Sequence, residues 1–451
     1  MNRTTKSILC AGLMAVSLSA NADTWTLQQC MDYANEHSID LKKNRVSELD
    51  AEATLAMNKA ALFPSLTASV GQSVSYRPWS SASNRVITDG SGSMTTVSTS
   101  SATQYTGSYG LNLNYTLWNG GRRTKTIEQQ KMNVEKAELT TEQQLNTIKQ
   151  QIVQLYVQIL YSREAIIVNK KTLETSIKQR DRAAEMVKVG SLSKADLAQL
   201  EAQVAEGEYN VTTAEVAVDR YKLNLKQLLE LPAGDDFDVA ETSITDEMAL
   251  QMVPNADEIY QAAVANRPEI RGAKVSVDIA DKQIQIAKTQ NLPSVSLSAA
   301  AGTSNMSGTQ VNLGTQWKNS TNTSAGLNVQ IPIFSQRQNR TAVERAELQK
   351  QTAQLEVENQ QKKLRSSIDG YWLDATSSQA QFRSAAVNVD YMQASYDLLS
   401  EQFNVGLKNI VELMSGKDKL LKAQQTALQA KYTSVYNQQL LKYYGGEEFK
   451  L

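Results

Sequence analysis

The side chains that most often perform acid–base, metal or nucleophilic chemistry are scarce in this sequence. It contains one histidine, His37, and two cysteines, Cys10 and Cys30. Histidine is the usual general base near neutral pH, and a single copy excludes sites built from paired histidines. Cys30 and His37 lie in one predicted helix, and we interpret both as ordinary helix residues. With no nucleophile–base pair, metal cluster or phosphate-binding loop in the sequence, we predict no enzyme activity, no catalytic residue, no metal and no cofactor.

The first 22 residues have the pattern of a secretory signal. A basic start with Arg3 and Lys6 precedes an apolar run from Ile8 to Leu18, and Ala20-Asn21-Ala22 forms a cleavage site of small residues. The run is shorter than the about 20 residues that a membrane-spanning helix needs. Removal of 1–22 would also remove Cys10, and the remaining cysteine cannot form an intrachain disulfide. The mature chain is predicted to leave the cytoplasm.

Charge and hydropathy exclude two further classes. The 46 basic and 47 acidic residues leave no net field to attract nucleic acid, and a mean hydropathy of −0.40 leaves no room for a bundle of membrane helices. The chain has only 7 prolines in 451 residues. This composition is typical of long solvated helices.

The sequence contains an internal duplication, which predicts two structural repeats. At an offset of 229, five residues recur: Ala51, Lys59, Pro64, Ser65 and Ser69 match Ala280, Lys288, Pro293, Ser294 and Ser298. At an offset of 216, further matches are Gly110-Leu111-Asn112 with Gly326-Leu327-Asn328, Val189-Gly190 with Val405-Gly406, and Leu197 with Leu413. We assign residues 23–231 to the first repeat, 232–254 to an acidic connector that is irregular and solvated, and 255–451 to the second repeat.

Long proline-free stretches predict long helices, because an interior proline costs a helix about 3 kcal/mol. The predicted helices are 27–62, 121–189, 194–231, 255–291, 337–405 and 410–444. Apolar residues in the second of these recur at coiled-coil spacing: Ile148, Ile152, Leu155, Ile159, Ile166, Leu173 and Ile177. The equivalent stripe in the second repeat is Leu364, Ile368, Tyr371, Ala375, Phe382 and Val389. Ordinary helix packing accounts for both stripes.

Four segments alternate apolar and polar residues and are predicted to be strands. Their apolar positions are Leu66, Ala68, Val70 and Val74; Tyr109, Leu111, Leu113, Tyr115 and Leu117; Val295, Leu297, Ala299 and Ala301; and Leu327, Val329, Ile331 and Ile333. Each run has about the length of a tilted membrane strand, although alternation alone also fits a half-buried soluble sheet. Tyr109, Trp118 and Phe334 are candidate interface residues flanking a membrane barrel, with polar loops at 77–107 and 303–324.

Four strands cannot close a barrel alone, since the smallest membrane barrels use about eight. An open sheet edge in lipid leaves backbone groups without hydrogen bonds. The sequence therefore predicts an oligomer: two chains supply eight strands and three supply twelve.

Two equivalent segments, beginning at Val189 and Val405, are predicted to be helix–turn–helix tips. Gly190 and Gly406 end the long helices, where a left-handed conformation costs glycine little. Ser193 with Asp196, and Asn409 with Glu412, have the spacing of a capping box that starts the next helix.

In this order of elements the chain resembles the TolC-type outer-membrane efflux and secretion channels. The residues that carry the resemblance are Phe63-Pro64-Ser65, Leu292-Pro293-Ser294, Leu117-Trp118-Asn119-Gly120-Gly121, Ile331-Pro332-Ile333-Phe334 and the two Val-Gly turns. The resemblance implies a mainly α fold with a membrane β-barrel. A duplicated helix-strand-strand-helix-helix unit would form a homotrimer with a twelve-stranded barrel, continued by a long periplasmic α-helical barrel.

The resemblance also implies partners and site residues. Such channels are passive outer-membrane conduits, joined by a periplasmic adaptor to an inner-membrane transporter of the RND, ABC or MFS class. By position, Gly190, Ser191, Leu192, Gly406 and Leu407 would contact the adaptor, while Asp196, Lys408 and Glu412 would form the periplasmic gate, with Asp196 as partner of Lys408. Ser415 and Phe403 depart from the family, which has a second acidic residue and a tyrosine there.

The leading hypothesis is thus the exit duct of a tripartite efflux pump or a type I secretion system. The alternative is a structural or adhesive fibre, a trimeric coiled coil with a β-barrel anchor. That alternative explains the apolar stripes and strands, but it explains neither two anchors per chain nor helices that turn back.

Overall fold

The structure, a computed structural model, describes residues 24–451 except 77, 80–82, 89–93, 100–102, 233, 235 and 310, and only the backbone of 83–88 and 94–99. The predicted signal segment 1–22, with Cys10, lies outside the described residues.

The first part of the described chain runs from a short strand to a helical hairpin. Its elements are β1 (Thr24–Trp25), α1 (Leu27–His37), α2 (Ile39–Ala60), β2 (Ser65–Tyr76), β3 (Ser83–Thr88), β4 (Met94–Thr99), β5 (Thr103–Trp118), α3 (Arg122–Lys188) and α4 (Lys194–Leu228).

The second part repeats this order with changes. Its elements are β6 (Asp238–Val239), α5 (Asp246–Ala249), α6 (Ala256–Asn266), α7 (Pro268–Thr289), β7 (Ser294–Met306), α8 (Leu313–Ser320), β8 (Asn322–Gln330), α9 (Gln338–Asn404) and α10 (Ile410–Tyr444). The four long helices after 121, 194, 337 and 410 are confirmed, as are the predicted strands, except that β8 ends at Gln330, before the predicted strand positions Ile331 and Ile333.

Two predicted helices are each divided in the structure. The helix expected at 27–62 breaks at Ser38, whose ψ of 125° is not helical and whose hydroxyl accepts a hydrogen bond from the Leu41 amide. The helix expected at 255–291 breaks at Arg267, because Pro268 has no amide hydrogen and takes the first position of α7. Treating these stretches as continuous helices was wrong.

The connector is not the irregular, solvated joint expected. Its strand β6 pairs in parallel with β1, with Trp25 opposite Val239. Val239, Ile244 and Ala249 are buried in the hydrophobic core. Arg163 and Lys222 both form ion pairs with the Asp238 carboxylate. The connector is thus packed against other parts of the chain.

The described chain divides into two compact units. One contains the described residues up to Lys42, Gln144–Asn266 and Leu364–Leu451, and the other contains Lys43–Gln143 and Arg267–Lys363. Each predicted repeat contributes to both units, so the repeat boundaries stay a prediction.

The first unit is helical, and its core contains the predicted apolar stripes. Ile148, Ile152 and Ile159 of α3 are buried, as are Ile368 and Phe382 of α9. The remaining stripe residues are at least half-buried. Packing of narrow stripes between neighbouring helices explains the spacing of these residues along α3 and α9.

The second unit contains an antiparallel four-stranded sheet with the order β2-β5-β7-β8. Its register places apolar residues side by side: Val70 pairs with Tyr109, Leu113 with Ala299, and Leu297 with Leu327. The opposite face is polar and contains, for example, Ser65, Asn114 and Ser298 in one row. The loop expected at 303–324 contains α8 and parts of β7 and β8, whereas the sequence analysis predicted neither the helix nor the full strand lengths.

The backbone repeats at the offset of 216 even where the residues differ. Gly120 and Gly121 have φ of 68° and 78°, and their equivalents Gln336 and Arg337 have φ of 48° and 66°. Left-handed conformations are uncommon outside glycine, so their recurrence shows that both strand-to-helix junctions turn in the same way.

Candidate functional site: the helix–turn–helix tips

The two tips have the same backbone geometry. Gly190 and Gly406 both have φ of 75°. In the first tip the Ser191 amide donates to Met186 O at 2.9 Å and the Gly190 amide to Val187 O at 3.0 Å. The second tip repeats both bonds, from Leu407 and Gly406. This is the Schellman arrangement, in which a left-handed residue lets two amides satisfy the last carbonyls of a helix.

At each tip the structure describes one of the two hydrogen bonds of the predicted capping box. The Asp196 amide donates to Ser193 Oγ at 3.1 Å, and the Glu412 amide donates to Asn409 Oδ1 at 2.9 Å. The second bond of a capping box, from the N-cap backbone amide to the carboxylate three residues later, is not among the described contacts of either tip. The two carboxylates accept other hydrogen bonds. Ser193 Oγ donates to Asp196 Oδ2 at 2.7 Å. Lys408 Nζ donates to Glu412 Oε2 at 2.5 Å.

Within the single chain, the contacts of Lys408 differ from the predicted gate pairing, which stays a prediction. The predicted partner of Lys408 is Asp196, whereas within this chain Lys408, which precedes α10, pairs with Glu412 in the first turn of that helix. The three residues predicted to form the gate thus lie at the tips, but the described ion pair joins only two of them.

A buried apolar cluster joins the two tips. It contains Ala183, Leu200, Tyr396, Phe403, Ile410, Leu413 and Leu420, with Leu192 and Leu197 packed against it. The cluster therefore draws residues from all four helices of the two hairpins. Phe403 lies inside the cluster, where a tyrosine hydroxyl would need a hydrogen-bond partner. Leu192, a predicted adaptor contact, is only half-exposed because it packs here.

The outer surface of the tips is apolar as well. Val189, Val405, Leu407 and Val411 are all exposed, with Leu407 at 75%. Gly190, Ser191, Gly406 and Lys408 are exposed beside them. Apolar side chains concentrated on an exposed turn are typical of a docking surface.

Two polar contacts above the tips were missed by the sequence analysis. Gln179 Nε2 donates to the Tyr396 hydroxyl at 2.6 Å, and Lys417 Nζ donates to Ser176 Oγ. Lys417 is 4% exposed, and this burial lowers the pKa of its ammonium group to about 8, while Asp418 and Glu206 act in the opposite direction. The sequence could have located Tyr396, because it lies seven residues before Phe403 on the same helix face. Nothing in the sequence distinguished Lys417 from exposed lysines.

The predicted interface aromatics occupy two levels of the sheet. Trp118 ends β5 opposite Val295, and the exposed Phe334 follows the end of β8, so both lie where strands join helices. Tyr109 lies nine residues earlier in β5, where its hydroxyl accepts a hydrogen bond from Gln72 Nε2 at 2.8 Å.

Cys30 and His37, whose side chains could perform chemistry, are held in packing contacts within the fold. Burial raises the pKa of the Cys30 thiol to about 12, and the His37 ring stacks on Tyr33 with centroids 3.8 Å apart. In the described part of the chain, no three histidine, cysteine or acidic residues are grouped as metal ligands. Among the described helices, none has an apolar stretch long enough to cross a membrane.

A family comparison identifies the chain. The model of the family "Outer membrane efflux protein" matches residues 31–230 and 259–446, which include both tips and all four strands of the large sheet. The chain belongs to the outer membrane efflux protein family. The TolC-type resemblance inferred from the sequence is confirmed.

Individual relatives agree with this membership. The chain is 22% identical to the outer membrane efflux protein BepC of Brucella suis, over 95% of this chain and 86% of that one. Its fold matches a crystal structure of CusC with a TM-score of 0.76 and 18% identity, covering 95% of both chains. It also matches VceC of Vibrio cholerae with a TM-score of 0.72 and 16% identity, covering 94% of this chain and 97% of VceC.

The efflux protein is therefore an outer-membrane channel protein with a large periplasmic portion, and its role is that of an exit duct in efflux or type I secretion. The comparisons support this function and not the alternative of a structural fibre.

Proposed function

We propose that three copies of this chain form one duct, with a shared twelve-stranded barrel in the outer membrane and a periplasmic helical barrel. Each chain would contribute two helix-strand-strand-helix-helix repeats, at 23–231 and 255–451. The observation that carries the proposal is the open sheet. Among the described residues, β2 and β8 each have one unpaired edge.

An open sheet edge is unfavourable in lipid, because each backbone N–H or C=O group without a hydrogen-bond partner costs several kcal/mol there. Pairing β2 of one copy with β8 of the next satisfies both edges. The face containing Val70, Leu111 and Leu327 would then contact lipid. The serine, threonine and asparagine face would line a water-filled lumen, in which polar solutes pass without losing their hydration.

The helical unit has matching unpaired surfaces. On α4, Tyr209, Val216 and Leu223 are exposed at intervals of seven residues. Tyr391 and Leu398 of α9 have the same spacing, which Val405 continues just after the end of that helix. Apolar residues repeated every seven positions form a packing stripe for another helix. A neighbouring copy would cover these stripes.

The tips supply a docking surface and a gate. Exposed Leu407, with Gly190, Ser191, Leu192 and Gly406 around it, would receive the apolar face of a periplasmic adaptor hairpin. The charged residues Asp196, Lys408 and Glu412 lie on the same turns, where three copies would bring them around the axis.

Transport through this duct would be passive. An inner-membrane transporter of the RND, ABC or MFS class would supply the energy, and the adaptor would join it to the tips. The chain's own contribution is a wall, a polar lumen and a closable end.

The assembly can be tested on the purified full chain. In mild detergent we expect a trimer by light scattering and stepwise conductance in planar lipid bilayers. A monomeric protein that stays dispersed without detergent would contradict the proposal. For the docking site, cysteine crosslinking from Leu407→Cys to a co-expressed adaptor is expected, with Tyr209→Cys, on the helical wall, as the control that does not crosslink to it.

A further inference from the structure

The short helix α8 is tied to the end of the sheet away from the long helices. Thr303 Oγ1 donates to Trp317 O at 2.8 Å, and the Met306 amide donates to Gln316 Oε1 at 2.7 Å. Gln316 Nε2 donates in turn to Val311 O at 2.7 Å. Asn312 caps the helix by accepting from the Thr315 amide at 2.9 Å. These bonds fix the orientation of α8 on the strand hairpin.

Trp317 lies on the apolar face of the sheet. Its ring meets the Tyr109 ring edge to face, with centroids 5.6 Å apart. Tyr109 pairs with Val70 and Thr303, and it shares its face with Leu111 and Leu113, which lie further along β5.

The apolar face is interrupted beyond this level. In the next row along the strands toward the hairpin ends, the same face has Gln72, Gly107 and Asn305. Gln72 and the Tyr109 hydroxyl are joined by a hydrogen bond. The Tyr109–Trp317 pair therefore borders a polar row on this face, and the apolar pair Val74 and Tyr105 follows in the row beyond it.

The outer side of α8 has exposed apolar residues. Leu313 is 59% and Trp317 47% exposed, and their spacing of four residues places them on one side of the helix. Lys318 is exposed next to them, and no residue of α8 is fully buried. Tryptophan, with an apolar ring and a polar N–H, prefers the boundary between headgroups and acyl chains, and a neighbouring lysine can reach anionic headgroups.

We propose that α8 is an interfacial anchor, with Leu313 and Trp317 inserted at the headgroup–acyl boundary of the outer leaflet and Lys318 directed to the headgroups. The long helices leave the other end of the sheet and are periplasmic, so α8 belongs to the outer-leaflet side. The occupant of its exposed side is lipid because that side continues the apolar sheet face of an outer-membrane protein. The proposal rests on the lipid-facing assignment of that face, made above. The anchor would set the depth at which the strands sit.

The test uses the tryptophan fluorescence of the full chain in proteoliposomes. A variant with Trp25, Trp79, Trp118 and Trp372 replaced by phenylalanine retains Trp317 alone. Bromines attached to the lipid near the headgroup should remove about half of its emission, more than bromines near the chain end, and aqueous iodide should have little effect. Quenching by iodide with no effect of brominated lipid would overturn the proposal, as would protection from both quenchers.

Two matched variants separate the possible failures. Retaining Trp79 alone, which is 93% exposed on the neighbouring hairpin, should give quenching by iodide only. Retaining Trp118 alone tests the lipid-facing assignment itself. If brominated lipid quenches Trp118 but not Trp317, the anchor is wrong and the barrel stands; if it quenches neither, the lipid-facing sheet fails as well.

A spin label covers the case in which the tryptophan variants do not fold. Leu313→Cys changes one exposed residue, and the natural Cys30 is fully buried and protected from labelling. The label should collide more often with oxygen, which dissolves in lipid, than with a water-soluble nickel chelate. The reverse preference would overturn the proposal.

Discussion

Lys408 and Glu412 form an ion pair at the start of α10, with Nζ and Oε2 2.5 Å apart. The pair spans the cap, because Lys408 precedes the N-cap Asn409 and the Glu412 amide donates to Asn409 Oδ1. The second tip of each chain thus carries one carboxylate that is neutralised by a cation of the same chain. In the proposed trimer, where one such tip from each copy would converge, this neutralisation would reduce the repulsion between the three copies of Glu412.

Reversing this charge should open the duct. Lys408→Glu places two like charges on each of three converging tips, and at a few tenths of a kcal/mol per contact the sum is about 1 kcal/mol, or roughly a fivefold shift toward the open state. Single-channel recording in planar bilayers measures the shift as open probability. Lys178→Glu is the control: it removes an equally spaced pair, with Glu174, on α3 away from the turn. Unchanged open probability in Lys408→Glu would exclude this pair from the gate.

The left-handed glycines of the turns should be required for adaptor docking. Gly406→Ala forces a side chain into φ of 75°, which costs about 1–2 kcal/mol, although no neighbouring atom would clash. Gly406→Pro cannot adopt that φ and also loses the amide that donates to Phe403 O. Adaptor crosslinking should fall in the first variant and disappear in the second, while trimers persist.

The glycine control lies in the middle of a helix. Gly370→Ala, in α9, also meets no neighbouring atom but has helical geometry, so it should leave crosslinking unchanged and stabilise α9 by up to about 1 kcal/mol. Normal crosslinking in Gly406→Pro would show that the turn geometry does not matter to the adaptor.

Two neighbouring residues of β8 should differ in how well they tolerate a charged side chain. Leu327→Arg places a cation on the apolar face, at a cost of about 2–4 kcal/mol near the bilayer centre, whereas Asn328→Arg places it on the polar face at little cost. Trimer yield from outer-membrane fractions should fall only for Leu327→Arg. Equal yields would mean that this face does not contact lipid.

The sequence predicted elements wherever its signal was local and periodic. Gaps between prolines located α3 and α9, and alternation located the strands up to Pro332, which has no amide to donate and follows the observed end of β8 at Gln330. The left-handed turns at Gly190 and Gly406 followed from residue type alone. Pro268 was overlooked as the start of a helix, although proline at the first helical position is common.

Contacts between residues that are distant in the sequence could not be predicted from it. Trp25 pairs with Val239, more than two hundred residues away, through a strand pair of two residues that has no periodicity. The choice of Glu412 over Asp196 as the partner of Lys408 depends on side-chain geometry that spacing leaves open. Lys417 is buried only because α3 and α10 pack there.

Buried Lys417 should make stability depend on pH in one direction. Burial lowers its pKa to about 8 in the folded chain, against an ordinary 10.5 in the unfolded chain. Below pH 8 the Lys417 side chain is therefore protonated in both states, and burying its charge lowers the free energy of unfolding. Between these values only the unfolded chain keeps the proton, so stability rises with pH.

Replacing the lysine should remove this dependence. Lys417→Met should stabilise the protein at pH 7 by up to about 3 kcal/mol, the equivalent of that pKa difference, and by almost nothing above pH 10.5. Ser176 keeps its bond to Thr172 O at 3.0 Å, so the substitution leaves no unpaired hydroxyl. The measurement is the difference in Tm between variant and natural protein across this pH range, because other titrating groups then cancel. The exposed Lys419→Met is the control and should change Tm at neither pH. If Lys417→Met lowers Tm at pH 7, the prediction that burying this ammonium group has a net cost is wrong.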